Sequence, residues 1–355
     1  MTAAGPIAGA ASRPRRGRAM PVSLALGAVL VGAVLYSVTI GRYDLDVGDV
    51  VLILWDNLVP VADPGWTAVE ESVVELVRLP RILAAVLVGI GLAVSGAALQ
   101  GLFRNPLVDP GIIAVTAGAG FGGTLAILMD LTGEALLLIA FLFGVGAVVL
   151  VKALASVRGR TSILTLVLAG VIMSAFFQAA ISIVKLLADP QQKLPAITYW
   201  LMGSLASTSY PDLALMAAAI LPASLVICLL RFQINVVSLG EEKARALGVP
   251  IEIVQWTILI ASALISAGVV ATSGIIGWVG LVIPHVARAF VGADHGRLLP
   301  AAALIGATYV VAVDDLARTV TVSEIPIGII TALVGVPVFA VILRRIHLQG
   351  GWRSD

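Results

Sequence analysis

Long apolar runs constrain this chain more than any other feature of its sequence. Charged residues make up 12% of its 355 residues, against roughly 25% in soluble domains. A helix of about 20 apolar residues crosses the ~30 Å hydrocarbon core of a bilayer. We therefore predict an all-α polytopic membrane protein with ten transmembrane helices, at about 22–40, 80–101, 110–129, 135–156, 162–187, 212–230, 252–272, 275–291, 298–317 and 326–345.

The apolar runs leave one membrane domain, residues 21–346, between two short tails. Residues 1–20 are small and arginine-rich and predict a disordered basic tail, and residues 347–355 form a second tail. The first apolar run is long for a signal peptide and has no small-residue cleavage site after it, so we interpret it as an uncleaved helix. With the N-terminus inside, 16 of the 22 lysines and arginines fall on the cytoplasmic side. Because cytoplasmic loops carry an excess of these residues, we predict that both termini are cytoplasmic.

A short polar stretch, residues 238–250, interrupts the apolar pattern. Ser238 and Glu241 have the spacing of a capping box, and Gly248 before Pro250 predicts the helix end. A helix this short is marginal alone. From the residues alone, it either docks a soluble partner or is an ordinary solvated loop.

Motifs for catalysis and for metal or nucleotide binding are absent from the sequence. The single cysteine, Cys228, excludes an internal disulfide and a cysteine-based metal site. Gly118, Gly120 and Gly123 spell GxGxxG within an apolar run and without a preceding strand, so we reject a nucleotide site. We predict no catalytic residue, no bound metal or cofactor and no nucleic-acid partner.

Charged residues near the span ends have a structural and a functional interpretation. Arg78 and Arg81 either snorkel to lipid phosphates or offer bidentate donors to carboxylates of an external partner. Asp314 and Asp315 precede Arg318 by four and three residues, which is the spacing of local helix ion pairs.

Smaller polar and glycine signals fall inside the spans. We expect Thr161 or Ser162 to cap the fifth span and His285 to be a hydrogen-bonded packing residue. A water-filled path could be lined by Ser174, Gln178 and Ser182. Close helix packing is predicted by a stripe of small residues, Gly89, Ala93, Ala97 and Gly101.

Four stretches, in this order, resemble the FecCD family, the permease subunits of type II ABC importers for iron–siderophores, haem and cobalamin. They read RLPRILAAVLVGIGLAVSGAALQGLFRNPLVDPG (78–111), SLGEEKARALGVP (238–250), GWVGLVIPHVARAFVGADHGRLLP (277–300) and EIPIGIITALVGVPVF (324–339). The resemblance covers about residues 20–346, nearly the whole chain.

The resemblance implies a BtuC-like permease domain over 21–346, with spans two to five and seven to ten as an inverted repeat. It implies two copies, or this chain and a sister permease, forming the pore in a prokaryotic plasma membrane. Two ATPase subunits would bind ATP and magnesium, and an extracytoplasmic binding protein would deliver the substrate. The chain itself would not be an enzyme.

The resemblance also assigns roles to residues. Arg78, Arg81 and Arg318 would dock the binding protein, so exchanging the first two for glutamate should weaken docking and leave folding intact. Thr161 and Ser162 would form the cytoplasmic gate. Coupling helices at about 236–251 would contact the ATPase through Ser238, Glu241, Glu242, Arg245, Leu247 and Gly248.

The substrate and two other function classes are the open alternatives. Iron chelates, siderophore or haem, are the first expectation, and cobalamin is another. The segment 188–206 and Trp278 also resemble a branch that includes molybdate or tungstate importers. An ion-coupled secondary carrier would need an ionisable group at mid-membrane, and an intramembrane enzyme would need a nucleophile and a base; the sequence offers neither.

Overall fold

The computed structural model describes residues 19–57, 59–60, 65–157, 160–161 and 163–348. The regular elements within them are helices and two short strands. Helix α1 begins at Ala19, and the last helix ends at Leu348. Both helices therefore extend slightly into the predicted tails, whose other residues lie outside the described part.

The elements follow one another as α1 Ala19–Thr39, α2 Val47–Asp56, α3 Ala68–Ser72, a π turn Val73–Arg78, α4 Leu79–Phe103, a 3-10 turn Pro110–Ile113, α5 Val115–Leu128, α6 Gly133–Ala155, β1 Ser156–Val157, β2 Arg160–Thr161, α7 Ile163–Leu187, α8 Lys193–Leu201, α9 Tyr210–Leu229, α10 Arg231–Ser238, α11 Glu241–Ala246, α12 Ile251–Ser273, α13 Val279–Val291, α14 His295–Thr319 and α15 Ile327–Leu348.

The membrane-spanning architecture is confirmed, but the count of ten spanning helices is not. Among the described residues, 8 helices are long and apolar enough to cross a membrane. The predicted spans at 110–129 and 275–291 become α5 and α13, of 14 and 13 residues. At 1.5 Å per residue such helices reach only about 20 Å. Irregular backbone precedes each of them, with left-handed residues at Ala114 (φ 60°) and Trp278 (φ 70°).

Helix α4 forms the centre of the bundle, and its packing confirms the predicted small-residue stripe. A Cβ at Gly89 would collide with the carbonyl oxygen of Gly306 on α14, and one at Gly96 with that of Gly280 on α13. Further along α4, a Cβ at Gly101 would lie 2.5 Å from Nε2 of His295. Glycine at positions 89 and 96 therefore lets α4 touch α14 and α13 backbone to backbone.

Two helices at the periphery carry apolar faces that are exposed in the single chain. On α7 the large exposed side chains are Leu164, Leu168, Val171, Ile172, Phe176, Ile183, Leu186 and Leu187. On α15 they are Ile329, Leu333, Val336, Val338, Val341 and Leu343. Faces this apolar need lipid or protein to cover them.

Candidate functional site

An ionic cluster closes the end of the bundle where α4 begins and α14 ends. Arg81, in the first turn of α4, is 5% exposed. Its Nε donates to Asp314 Oδ2 at 2.8 Å and its Nη2 donates to Asp314 Oδ1 at 2.9 Å. Its Nη1 donates to both carboxylate oxygens of Glu324, each at 3.0 Å. One guanidinium therefore ties α4 to α14 and to the connection before α15.

Two further arginines fix α1 against the same end. Arg78 is 3% exposed and donates to the carbonyl oxygens of Val38 and Tyr43, each at 2.6 Å. Arg318 is 4% exposed; its Nη2 donates to the carbonyl oxygen of Ser37, at 2.5 Å, and to Asp315 on its own helix.

The docking role expected of Arg78, Arg81 and Arg318 stays a prediction. In this structure all three guanidinium groups are buried and donate hydrogen bonds within the chain, so docking through them would require these contacts to open. The sequence did not reveal this burial because most of their partners lie on other helices or on distant backbone. The predicted local ion pair is confirmed for Asp315 and Arg318, whereas Asp314 pairs with Arg81 on α4.

The polar stretch 238–250 is a helix, but its start differs from the prediction. The capping box is wrong: Ser238 is the last residue of α10, and its hydroxyl donates to the carbonyl oxygen of Asn235 at 2.6 Å. The residue before α11 is Gly240, with φ 115° and no side-chain cap. The predicted helix end is confirmed, since Gly248 has φ 75° and serves as a left-handed terminator.

Helix α11 has one buried residue, and its other side chains form an exposed polar surface. Ala244 is fully buried beneath it, whereas Glu241, Glu242 and Arg245 are exposed. Leu247, just after the helix, is 65% exposed. The Glu241–Arg245 contact of 3.6 Å is solvated and contributes little. An exposed leucine beside exposed charged side chains is suited to contact with a partner protein.

Sequence reasoning missed a polar joint between α10 and α14. Asn235 Oδ1 accepts the backbone N–H of His295 at 2.9 Å and lies 2.7 Å from His295 Nδ1. Its amide Nδ2 donates to Asp294 Oδ1 at 3.1 Å, and that oxygen also accepts the Gly296 N–H at 2.7 Å. The backbone N–H of Gly296, then the Asn235 amide, lower the pKa of Asp294. Only the helix cap was readable from sequence, as Asp294 before His295 and Gly296.

The remaining predicted residues are placed as follows. Gln178 and Ser182 are exposed on α7, Ser174 is half-buried one turn away, and their role in a path stays a prediction. Thr161 lies in β2, opposite Ser156, and Ser162 lies outside the described residues, so the gate also stays a prediction. His285 is a packing residue, as expected: its Nε2 is 2.9 Å from the carbonyl oxygen of Pro106.

The long apolar helices of the described residues define a polytopic membrane protein. The chain belongs to the FecCD transport family, whose model matches residues 10–345. It is a permease subunit of an ABC importer of the FecCD/BtuC type.

Relatives named for different substrates match most of the chain. It is 43% identical over 323 residues to the molybdate import system permease protein MolB of Haemophilus influenzae, covering 91% of this chain and 95% of that protein. It is 40% identical over 283 residues to the hemin transport system permease protein HmuU of Yersinia pestis, covering 78% and 84%.

A solved structure matches the fold closely. It is described as an inward-facing conformation of a metal-chelate type ABC transporter, and it is 42% identical with a TM-score of 0.82. The match covers 92% of this chain and 99% of that one. The BtuC-like fold expected from the sequence is therefore confirmed.

Proposed function

We propose that this chain is the pore subunit of an importer that carries molybdate or a related tetrahedral oxyanion. The observation that carries the proposal is the 43% identity to a molybdate permease across 91% of the chain. On that ground we propose the oxyanion ahead of the iron chelate, which was the first expectation from the sequence.

The polar groups on α7 are compatible with this cargo. Ser174, Gln178 and Ser182 recur at every fourth position and carry neutral donors and acceptors. A conducting path must bind its cargo weakly enough to release it. Hydroxyl and amide groups can hydrogen-bond an oxyanion without holding it as a fixed cation would.

Haem or another iron chelate is the second candidate. It is favoured by the 40% identity to a hemin permease and by the structural match to a metal-chelate type transporter. Weak binding by neutral groups along α7 would suit a bulky chelate as well as an oxyanion.

The partners follow from the surfaces that the single chain leaves open. We propose that α11, with Glu241, Glu242, Arg245 and Leu247, contacts an ATPase subunit that binds ATP and magnesium. The exposed apolar faces of α7 and α15 suit a second permease copy or a sister permease. An extracytoplasmic binding protein would dock at the end of the bundle where α4 begins, where Arg78, Arg81 and Arg318 hold α1, α4 and α14 together.

The membrane placement is part of the same proposal. We expect the plasma membrane of a prokaryote, with both termini in the cytoplasm. The charge bias supports this orientation, since it places α11 and four N-terminal arginines on the same side.

Cellular metal content tests the substrate. A strain without this chain, grown on limiting molybdate, should contain less molybdenum by elemental mass spectrometry, and the wild-type gene should restore it. Growth on haem as the iron source is the parallel measurement. Normal molybdenum with lost haem use would reject the oxyanion and favour the chelate.

A further inference from the structure

Helices α4 and α14 are joined along their whole length. At one end Arg81 pairs with Asp314, and in the middle Gly89 meets Gly306 without intervening side chains. At the other end Gly101 packs against the ring of His295. The 25 residues of α14 extend about 37 Å, which exceeds the ~30 Å of hydrocarbon. The two helices therefore form one strut from the cytoplasmic end to the outer rim.

Helix α10 holds the cytoplasmic end of this strut. Ile234 is fully buried, and a Cβ at Gly101 would lie 2.8 Å from its Cγ2. On the same helix, Asn235 bonds to Asp294 and His295 at the start of α14. Apolar contact and directional hydrogen bonds thus join three helices at one point.

Helix α11 follows α10 after only two residues. The turn is closed by backbone bonds from Leu239 to Val236 and from Gly240 to Val237. Gly240, at φ 115°, takes a backbone conformation that other residues avoid. A displacement of α11 therefore reaches α10 without a long flexible connection.

We propose that Asn235 is a positioning residue that transmits movement of α11 to the α4–α14 strut, and through it to the Arg81–Asp314 cluster. The proposal rests on the proposed contact between α11 and an ATPase. The hydrogen bonds matter because apolar surfaces can slide past one another, whereas an amide held on both sides keeps one register. A purely structural role, capping α14, would leave transport and ATP hydrolysis in the same ratio.

The test uses the complete complex of permease, ATPase and binding protein in proteoliposomes. Uptake of labelled molybdate and hydrolysis of ATP are measured in parallel, with haem in place of molybdate if haem is the cargo found. Asn235→Ala should keep ATP hydrolysis near the wild-type rate and lower the uptake per ATP about ten-fold. A ten-fold change corresponds to 1.4 kcal/mol, within what the lost hydrogen bonds supply.

A charge exchange provides the rescue. Asn235→Asp alone places a carboxylate against Asp294, and uptake per ATP should again fall. The double variant Asn235→Asp/Asp294→Asn restores one amide and one carboxylate at the joint, and coupling should recover at least five-fold over the single variant. Thr257→Ala is the control, because that hydroxyl bonds only within its own helix, to Ile253.

Several outcomes would overturn the proposal. One is an unchanged uptake per ATP in Asn235→Ala; another is a parallel loss of uptake and hydrolysis with a lower melting temperature. If Asn235→Ala does not fold, the double variant Asn235→Asp/Asp294→Asn decides instead. The proposal is wrong if this double variant folds and its uptake per ATP does not recover. Replacing Glu241, Glu242 and Arg245 together by alanine separates the two proposals. If that variant uncouples the complex and Asn235→Ala does not, only the joint is wrong; if neither does, the α11 contact itself fails.

Discussion

Replacing Arg81 by methionine should destabilise the folded permease strongly. The substitution keeps a long apolar stem but removes the cation from Asp314, whose side chain is 2% exposed, and from Glu324, at 21%. Removing one partner of a buried ion pair typically costs about 3–5 kcal/mol, because the other charge stays buried without compensation. We expect a loss in that range for Arg81→Met.

Removing both charges of the pair should cost much less. In Arg81→Met/Asp314→Leu no unpaired charge is left in the interior, and Glu324 can turn toward water. Apolar replacement of a complete buried pair is often neutral. The double variant should therefore be at least about 2 kcal/mol more stable than Arg81→Met. Arg42→Met is the control, since Arg42 is exposed and bonds only to backbone carbonyls.

The assay is equilibrium unfolding of the purified permease in bicelles, followed by steric trapping or by circular dichroism. An Arg81→Met variant within about 1 kcal/mol of the wild type, the range of a surface pair, would refute the buried-pair interpretation. So would a double variant no more stable than the single one. The sequence alone predicted that Arg78→Glu with Arg81→Glu leaves folding intact; the structure predicts the opposite, so docking assays on such variants need a measured folded fraction.

Two other substitutions test the packing and the open faces. Gly96→Val should lower the free energy of unfolding by about 1–3 kcal/mol, because the valine side chain would collide with the carbonyl oxygen of Gly280. Gly146→Val is the control and should be tolerated, since a Cβ at Gly146 meets no atom within 4 Å. Equal losses for the two variants in thermal unfolding would contradict this packing. Leu333→Arg, at a position 69% exposed on α15, should lower the mass of the purified assembly in multi-angle light scattering, because a charge in an apolar interface is costly. Leu138→Arg on α6 should not, and an unchanged mass for Leu333→Arg would exclude this face from the interface.

The sequence predicts the helices well because hydropathy reports directly on burial in lipid. Hydropathy does not show where the two short helices, α5 and α13, begin. Residues 275–278 are apolar or small and belong to the predicted span 275–291, yet Trp278 has a positive φ, as does Gly274 just before that span. An apolar run does not distinguish helix from irregular backbone buried in protein.

The small-residue stripe illustrates what a local pattern leaves open. Glycine at position 89 predicts a close neighbour, but only the fold identifies that neighbour as Gly306 on α14. The candidate site depends on such long-range pairs throughout: Arg81 with Asp314, and Asn235 with Asp294. Residues 233 positions apart carry no sequence signal of their contact.

The capping box fails through competition between two local structures. Ser238 and Glu241 fit the motif, but Ile234, Val236 and Val237 are buried and hold α10 in a helix up to Ser238. The serine hydroxyl then bonds back to Asn235 on its own helix. Tertiary burial thus decides where one helix ends and the next begins.

ATP-driven uptake tests the central claim most directly. The permease, co-reconstituted with its ATPase and binding protein, would be offered labelled molybdate, a ferric siderophore, haem and cobalamin in turn, with and without ATP. We predict that molybdate accumulates only with ATP and only when the binding protein is present. Accumulation of any cargo without the ATPase would contradict an ABC importer, and ATP-driven uptake of a chelate without molybdate would replace the proposed substrate.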